Sequence, residues 1–227
     1  MASVSDPPRP LIDGQRLDQP TFHALYEAMP PGTRAELING VVHMPSPVGI
    51  EHSRADFPSL MWLGQYEVNT PGVEALGNVS TALGLKSEIQ PDGLLRILPD
   101  YGGRTVNDSR FVRGAPELVI ETAHSSRYTD LGPKFDDYEQ AGVLEYIVRS
   151  IEPDEVYWFV LKRGRFVEFP PGPDGICRSE VFPGLWLDPA ALLTRDIARL
   201  QSLVNLGCAT PEHAAFLARL AEAKSSR

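Results

Sequence analysis

Residues 115–148, APELVIETAHSSRYTDLGPKFDDYEQAGVLEYIV, constrain the fold more than any other stretch. Leu118-Val119-Ile120 is a continuous apolar run with β-branched residues, the pattern of a strand buried on both faces. It ends on Glu121. A carboxylate at the end of a buried strand is costly unless hydrogen-bond donors or a cation meet it. With no cysteine or histidine cluster nearby, the natural cation is Mg²⁺. Residues 124–130 are polar, and Gly132-Pro133 opens a helix that carries Lys134 in its first turn and Phe135, Tyr138 and Ala141 at helical spacing. Gly142 ends it, and residues 144–148 form the next strand. The unit is strand, helix, strand, a crossover between nearby strands of one sheet.

The 227 residues suit one sizeable core or one domain with a terminal extension, and the second is favoured. Residues 1–16 read as a loosely held arm, 17–193 as the domain and 194–227 as a C-terminal helical extension. No apolar run approaches the roughly 20 residues of a membrane helix. The start lacks the basic and apolar pattern of a signal peptide, and Cys177 and Cys208 have no metal-ligand spacing. A reducing cytoplasm is the expected compartment. The net charge of −9 argues against a general nucleic-acid binder. Residues 86–134 are nevertheless neutral, with seven bases and seven acids, which allows a basic rim around an acidic metal site.

In order along the chain, residues 18–29 form a short amphipathic helix ended by Pro30-Pro31-Gly32. Asn39-Gly40 between apolar runs predicts a hairpin with a type I′ turn. Residues 52–68 are a second helix, with Pro58 near its beginning. Residues 73–85 are extended, and residues 87–97 are strand material interrupted at Pro91-Asp92-Gly93, a bend or an edge. Residues 99–109 read as a loop, residues 155–169 as a second hairpin turning at 162–165, and Phe182-Pro183-Gly184-Leu185 as the closing edge of the domain. Helical spacing runs from Pro189 to Val204 and again over 211–223.

Asp92, Glu121 and Lys134 are the candidate chemical group. Two carboxylates from different strands can hold one Mg²⁺ and leave positions for water and a substrate phosphate. Glu117 shares a strand face with Glu121 but lies about 13 Å away at about 3.3 Å per residue, too far to bind the same ion. It reads as the solvent-side start of the strand. A lysine in a first helical turn opposes the helix dipole, which points to another task. His124 and His52 are weaker candidates. Ser125-Ser126 has no acid and histidine in serine-hydrolase order, and there is no P-loop, Rossmann or zinc pattern.

Taken together, Glu36-Leu37-Ile38-Asn39-Gly40, Met44-Pro45-Ser46-Pro47 with His52, Pro91-Asp92, Ala115-Pro116-Glu117-Leu118-Val119-Ile120-Glu121, Lys134 with Tyr138 and Gly142-Val143, and Phe182-Pro183-Gly184-Leu185 form an ordered set. It resembles the putative restriction endonuclease family of the PD-(D/E)XK nuclease superfamily over about residues 17–193. The resemblance implies an α/β fold, a central mixed β-sheet flanked by helices, and divalent-metal hydrolysis of DNA phosphodiesters by Mg²⁺ or Mn²⁺. It also implies that Asp92 and Glu121 are metal ligands, that Lys134 is the lysine carried on the following helix, and that Glu36 is an accessory acid. The superfamily's usual lysine, two residues after the second acid, falls on Ala123. An inactive nuclease-fold binding module and a metal-independent carboxylate pair acting on a sugar are the alternatives. A homodimer is allowed.

Overall fold

The computed structural model describes residues 10–108, 110–124 and 126–226. The first half runs α1 (Gln19–Glu27), β1 (Glu36–Ile38), β2 (Val41–His43), α2 (Ile50–Asn69), β3 (Val73–Leu76), β4 (Thr81–Ala82), β5 (Glu88–Ile89), β6 (Gly93–Ile97), β7 (Val106–Asp108) and β8 (Phe111–Arg113). The second runs β9 (Leu118–Ala123), α3 (Arg127–Asp130), α4 (Pro133–Ala141), β10 (Glu145–Ser150), β11 (Glu155–Lys162), β12 (Arg165–Glu168), β13 (Cys177–Arg178), β14 (Trp186–Leu187), α5 (Pro189–Thr194), α6 (Ile197–Cys208) and α7 (Pro211–Ser225).

The central sheet has the order β12-β11-β10-β9-β6-β3. Its β9 and β10 are parallel, joined by α3 and α4, and its other pairs are antiparallel. This is the predicted mixed sheet with its strand, helix, strand crossover. The alternation along β9 shows why its apolar run is continuous. Leu118 and Ile120 pack into a cluster with Trp62 and Leu63 of α2, whereas Val119 and Ala123 pack on the other face with Ile38, Ile89 and Tyr138. Both faces are covered, so neither is polar.

A second sheet, β2-β1-β5-β4-β8-β7, covers part of that other face. Its strands are two or three residues long, too short for an alternation to be read. β7 therefore falls inside the loop expected over residues 99–109, and no element was expected at β8. The β1–β2 hairpin was legible because its turn carries the signal: Asn39 and Gly40 have φ of 46° and 76°, both left-handed as a type I′ turn requires. The interruption at Pro91-Asp92-Gly93 is a bend, at Asp92, and not an edge: the chain there leaves the second sheet at β5 and enters the interior of the central sheet at β6.

Two boundaries differ from the reading of the sequence. Residues 1–9 of the N-terminal arm lie outside the described residues, but residues 10–16 are held: Gly14 N donates to Val42 O at 2.8 Å, and Leu11 is buried with Phe22 and Leu37. At the other end, Leu200, Val204, Phe216 and Leu220 of α6 and α7 share the core of Trp62 and Leu118. The helix expected to run from Pro189 to Val204 is cut at Arg195, whose φ of 59° closes α5. The segment 182–187 is not an edge, since Phe182, Leu185 and Leu187 are fully buried. It lies against α6 because a Cβ on Gly207 would stand 2.2 Å from Gly184 O, so only glycine permits the approach. Among the described residues no helix is long and apolar enough to cross a membrane.

Glu145 opens β10 and accepts hydrogen bonds from Ser179 Oγ (2.7 Å), Glu180 N (2.7 Å) and Val181 N (3.3 Å). Burial outweighs these donors and pushes its pKa from an ordinary 4.5 up to about 7. A carboxyl raised in this way contributes stability that is complete below its unfolded pKa and is lost as pH rises through its folded pKa. Glu145→Gln is therefore expected to make the decline in stability from pH 4.5 to about 7 shallower, by on the order of 3 kcal/mol. Thermal unfolding across that range measures it, and an unchanged slope would mean that the three donors keep the carboxylate ionised throughout.

Candidate active site

Pro133 and Gly142 set the limits of α4, the first as the opening residue and the second as a left-handed C-cap with φ 85°. Lys134 and Tyr138, four residues apart, share the helix face that meets β9. The Lys134 ammonium lies 3.0 Å from Glu121 Oε1, and the Tyr138 hydroxyl donates to the same oxygen at 2.7 Å. Ala123, where the superfamily carries its lysine, is buried in the apolar cluster beside Tyr138. The cation that meets Glu121 comes instead from the helix.

Asp92 reaches the same place from the sheet crossing. Its Oδ2 accepts from Thr122 N at 2.7 Å, and its own N–H points to Glu121 Oε2 at 3.4 Å. Gly93 makes this approach possible, because a Cβ there would stand 2.9 Å from Ile120 Cγ2 and 3.1 Å from Leu63 Cδ1. Glu36, at the start of β1, brings a third acid from the second sheet. Its Oε1 accepts from Gln90 N at 2.7 Å and lies 3.2 Å from Lys134 Nζ. Asp137 on α4 binds that sheet to the helix, accepting from Asn39 N (2.8 Å) and Ser87 Oγ (2.6 Å). The structure thus brings Asp92, Glu121, Lys134 and Glu36 into one cluster.

A further acid completes it. Asp130 lies 3.7 Å from Lys134 Nζ, and its Oδ2 accepts from Ser126 Oγ at 2.6 Å. Burial pushes Asp130 up to about 6 and Glu121 well above the ordinary carboxylate range; Lys134 opposes both shifts, while Asp92 and Glu36 reinforce them. Burial also works against the Lys134 charge, but Glu121, Glu36 and Asp130 outweigh it and hold the ammonium above its ordinary pKa. Lys134 stays charged. Three carboxyls on one ammonium, with Asp92 beside Glu121, crowd acids together in a way that a bound divalent cation would relieve.

The donor set fits such a cation. Among the described residues Asp92 Oδ1 accepts no hydrogen bond and Glu121 Oε2 accepts only the long one from Asp92 N. Both residues line a cavity of about 620 Å³ together with Glu36, Lys134, Asp130 and His124. No group of three His, Cys, Asp or Glu among the described residues forms a ready-made cage, so water and substrate oxygens would fill the remaining positions, as Mg²⁺ ordinarily prefers.

Other expectations are corrected. Glu117 is not at the solvent end of its strand: it is 2% exposed, accepts from Ile97 N at 2.9 Å and faces Arg104 at 3.5 Å. The arginines of residues 86–134 do not form a rim. Arg96 is buried on Glu74, Arg113 pairs with Asp108 and Arg127 donates to Tyr157, and none lines the cavity. Its wall carries Lys134, Arg34 and histidines against six carboxylates. His52 and Asp56, four apart on α2, flank Asp92 from the other side, and burial, reinforced by Asp92, pushes Asp56 up to about 7. Asp130, Asp56 and Gln90 were not singled out from the sequence; Lys134 and Tyr138, four apart, share one face of α4, whereas Asp130 ends the separate helix α3. Ser125 lies outside the described residues.

The family model described as putative restriction endonuclease (Uma2) matches residues 20–190. The fold is similar to the crystal structure of a putative nuclease belonging to DUF820 from Anabaena variabilis, with 14% identity and a TM-score of 0.54, covering 80% of this chain and 97% of that one. No curated protein matches the chain.

Proposed function

The chain belongs to the putative restriction endonuclease family, and from that premise we propose that it hydrolyses DNA phosphodiester bonds with Mg²⁺ or Mn²⁺ held by Asp92 and Glu121. The observation that carries this reading is the ammonium of Lys134, 3.0 Å from Glu121 and 3.2 Å from Glu36, on the wall of a cavity that Asp92 also lines. A bound divalent cation would polarise the scissile phosphate and lower the pKa of its water.

Lys134 and Tyr138 fix one Glu121 oxygen and leave the other toward Asp92. The Thr122 N–H fixes one Asp92 oxygen in the same way, so both carboxylates are preorganised. Lys134, held charged, stabilises negative charge that builds on the phosphoryl oxygens and does not act as a neutral base. Glu36 keeps the ammonium in place, and its Oε2, free of hydrogen bonds among the described residues, is left as an acceptor for a water proton on a residue that lines the cavity. The unpaired Cys177 and Cys208 accord with work in a reducing cytoplasm.

Incubation of plasmid and single-stranded DNA with Mg²⁺, Mn²⁺ or a chelator tests this. Cleavage is expected with either metal and not with the chelator. Cleavage that survives chelation would point to a metal-independent carboxylate pair. The acidic cavity wall favours a second reading, a catalytically inactive nuclease-fold module; binding of DNA or a protein partner without cleavage under any metal would select it.

A further inference from the structure

We propose that Arg34 binds the phosphate next to the scissile one, so that the substrate strand crosses Asp92 from the main cavity into a smaller one beside it. This rests on the proposed hydrolysis of DNA at Asp92 and Glu121. The smaller cavity, of about 300 Å³, is lined by Asp92 together with Arg34, Asn78 and Ser53. Asp92, Arg34 and Gln90 line both cavities, so the two open volumes meet at the proposed metal site. A strand whose phosphate sits there has room to continue on either side, and a cut made there is internal.

The chain leading into β1 sets the direction of Arg34. Ala35 and Leu37 pack with Phe22 on one face of the second sheet, and residues two apart along an extended chain share a face. Arg34, Glu36 and Ile38 accordingly all line the main cavity. Arg34 stands one step, about 6.6 Å at about 3.3 Å per residue, beyond the Glu36 that meets Lys134. Its charge is oriented but not neutralised. Arg34 Nη2 donates to Asn78 Oδ1 at 2.9 Å, and Asn78 N donates to Pro91 O at 3.0 Å, which ties the guanidinium to the turn that carries Asp92. The partner is a neutral amide. Lys134, the other long cation of the main cavity, meets three carboxyls, whereas Arg34 has none in ion-pair contact among the described residues. Asp56, the second acid of the smaller cavity, is buried and accepts from Thr122 Oγ1 at 3.4 Å. A guanidinium carries five donors in a fork that matches a phosphate, and Asn78 takes one of them.

The test is binding of fluorescein-labelled single- and double-stranded oligonucleotides to the full chain, by anisotropy over a range of KCl with Ca²⁺ as the cation, together with cleavage kinetics in Mn²⁺. One phosphate contact is worth a slope of about 0.7 in log Kd against log[KCl] for a single strand and about 0.9 for a duplex. Arg34→Ala should lower the slope by that amount and raise Kd and KM about tenfold, the usual worth of one charge-assisted hydrogen bond, with kcat nearly unchanged. Arg34→Lys should restore the slope, since it keeps the charge, and Arg219→Ala, on α7 and outside both cavities, should leave it as in wild type. An unchanged slope in Arg34→Ala overturns the proposal, as does an equal loss in Arg219→Ala, which would mark a general effect of charge. A fall in kcat with KM unchanged also overturns it, because the guanidinium would then serve the scissile phosphate in the transition state. If wild type binds DNA without cleaving it, a loss of slope in Arg34→Ala upholds the phosphate contact while the hydrolysis reading falls. No DNA binding to wild type overturns both.

Discussion

Replacing Lys134 by Met is expected to slow metal-dependent DNA cleavage by about 10²–10³-fold, the usual size of losing one preorganised group that stabilises developing charge. Metal affinity should change far less than turnover, because Lys134 is not a ligand. Lys134→Arg should keep part of the activity, since it preserves the charge while altering the geometry of a compact ammonium. The same substitution has a stability signature that separates it from a general folding defect. It leaves Glu121, Glu36 and Asp130 without the cation they surround, and removing one partner of a buried pair costs about 3–5 kcal/mol. Glu121 and Asp130 are already raised by burial, with Lys134 pulling them down, so without Lys134 they protonate more readily. The destabilisation should therefore be larger at pH 8 than at pH 5, where neutral carboxyls no longer repel one another. Turnover and thermal unfolding of the three proteins at both pH values decide the matter. If Lys134→Met cleaves as fast as wild type, its assignment fails and His124, on the same cavity wall, becomes the next candidate.

The parts of this fold that could be read from the sequence are those whose signal is local. β9 showed itself by an unbroken apolar run, α4 by Pro133 and Gly142 at its ends, and the first hairpin by Asn39-Gly40. The second sheet did not, because strands of two or three residues have no period, and their pairing joins segments as distant as Leu37 and Glu88. The end of a strand that meets water is also a tertiary property. Glu117 and Glu121 both flank the run Leu118-Val119-Ile120, and nothing local says that one is buried against Ile97 N and Arg104 while the other faces Lys134.

The site was legible to a different degree. Asp92, Glu121, Lys134 and Glu36 were picked out by order and by resemblance, and the structure brings them together: Glu121 and Glu36 meet the Lys134 ammonium, and Asp92 meets Glu121. Of their supporting groups, Tyr138 and His52 stand in the same ordered set without an assigned role, and Asp130 and Asp56 were not singled out. Asp130 and Tyr138 stand four residues before and after Lys134, and His52 and Asp56 are four apart on α2. A lysine and a tyrosine on one helix face are commonplace on solvated helices; burial distinguishes this face of α4, and burial depends on the second sheet closing over it.

Asp92→Asn is expected to separate metal binding from folding more sharply than any other change. A ligand that binds only the native state stabilises it by RT ln(1 + [L]/Kd), about 2.7 kcal/mol at a hundredfold excess over Kd. For a chain of this size that raises Tm by about 5–10 °C. Wild type should show this rise with Mg²⁺ or Mn²⁺, and Asp92→Asn should show none. The metal-free variant should be at least as stable as metal-free wild type, because the substitution removes one of four crowded acids and so lessens the repulsion that raises Glu121 and Asp130. The amide keeps an oxygen to accept from Thr122 N, so the contact that holds the crossing from β5 to β6 survives. A structural role for Asp92 predicts the reverse order, with the variant less stable and its metal response intact. An equal rise in Tm with metal in both proteins would place the cation elsewhere, and the shared site of Asp92 and Glu121 would have to be abandoned.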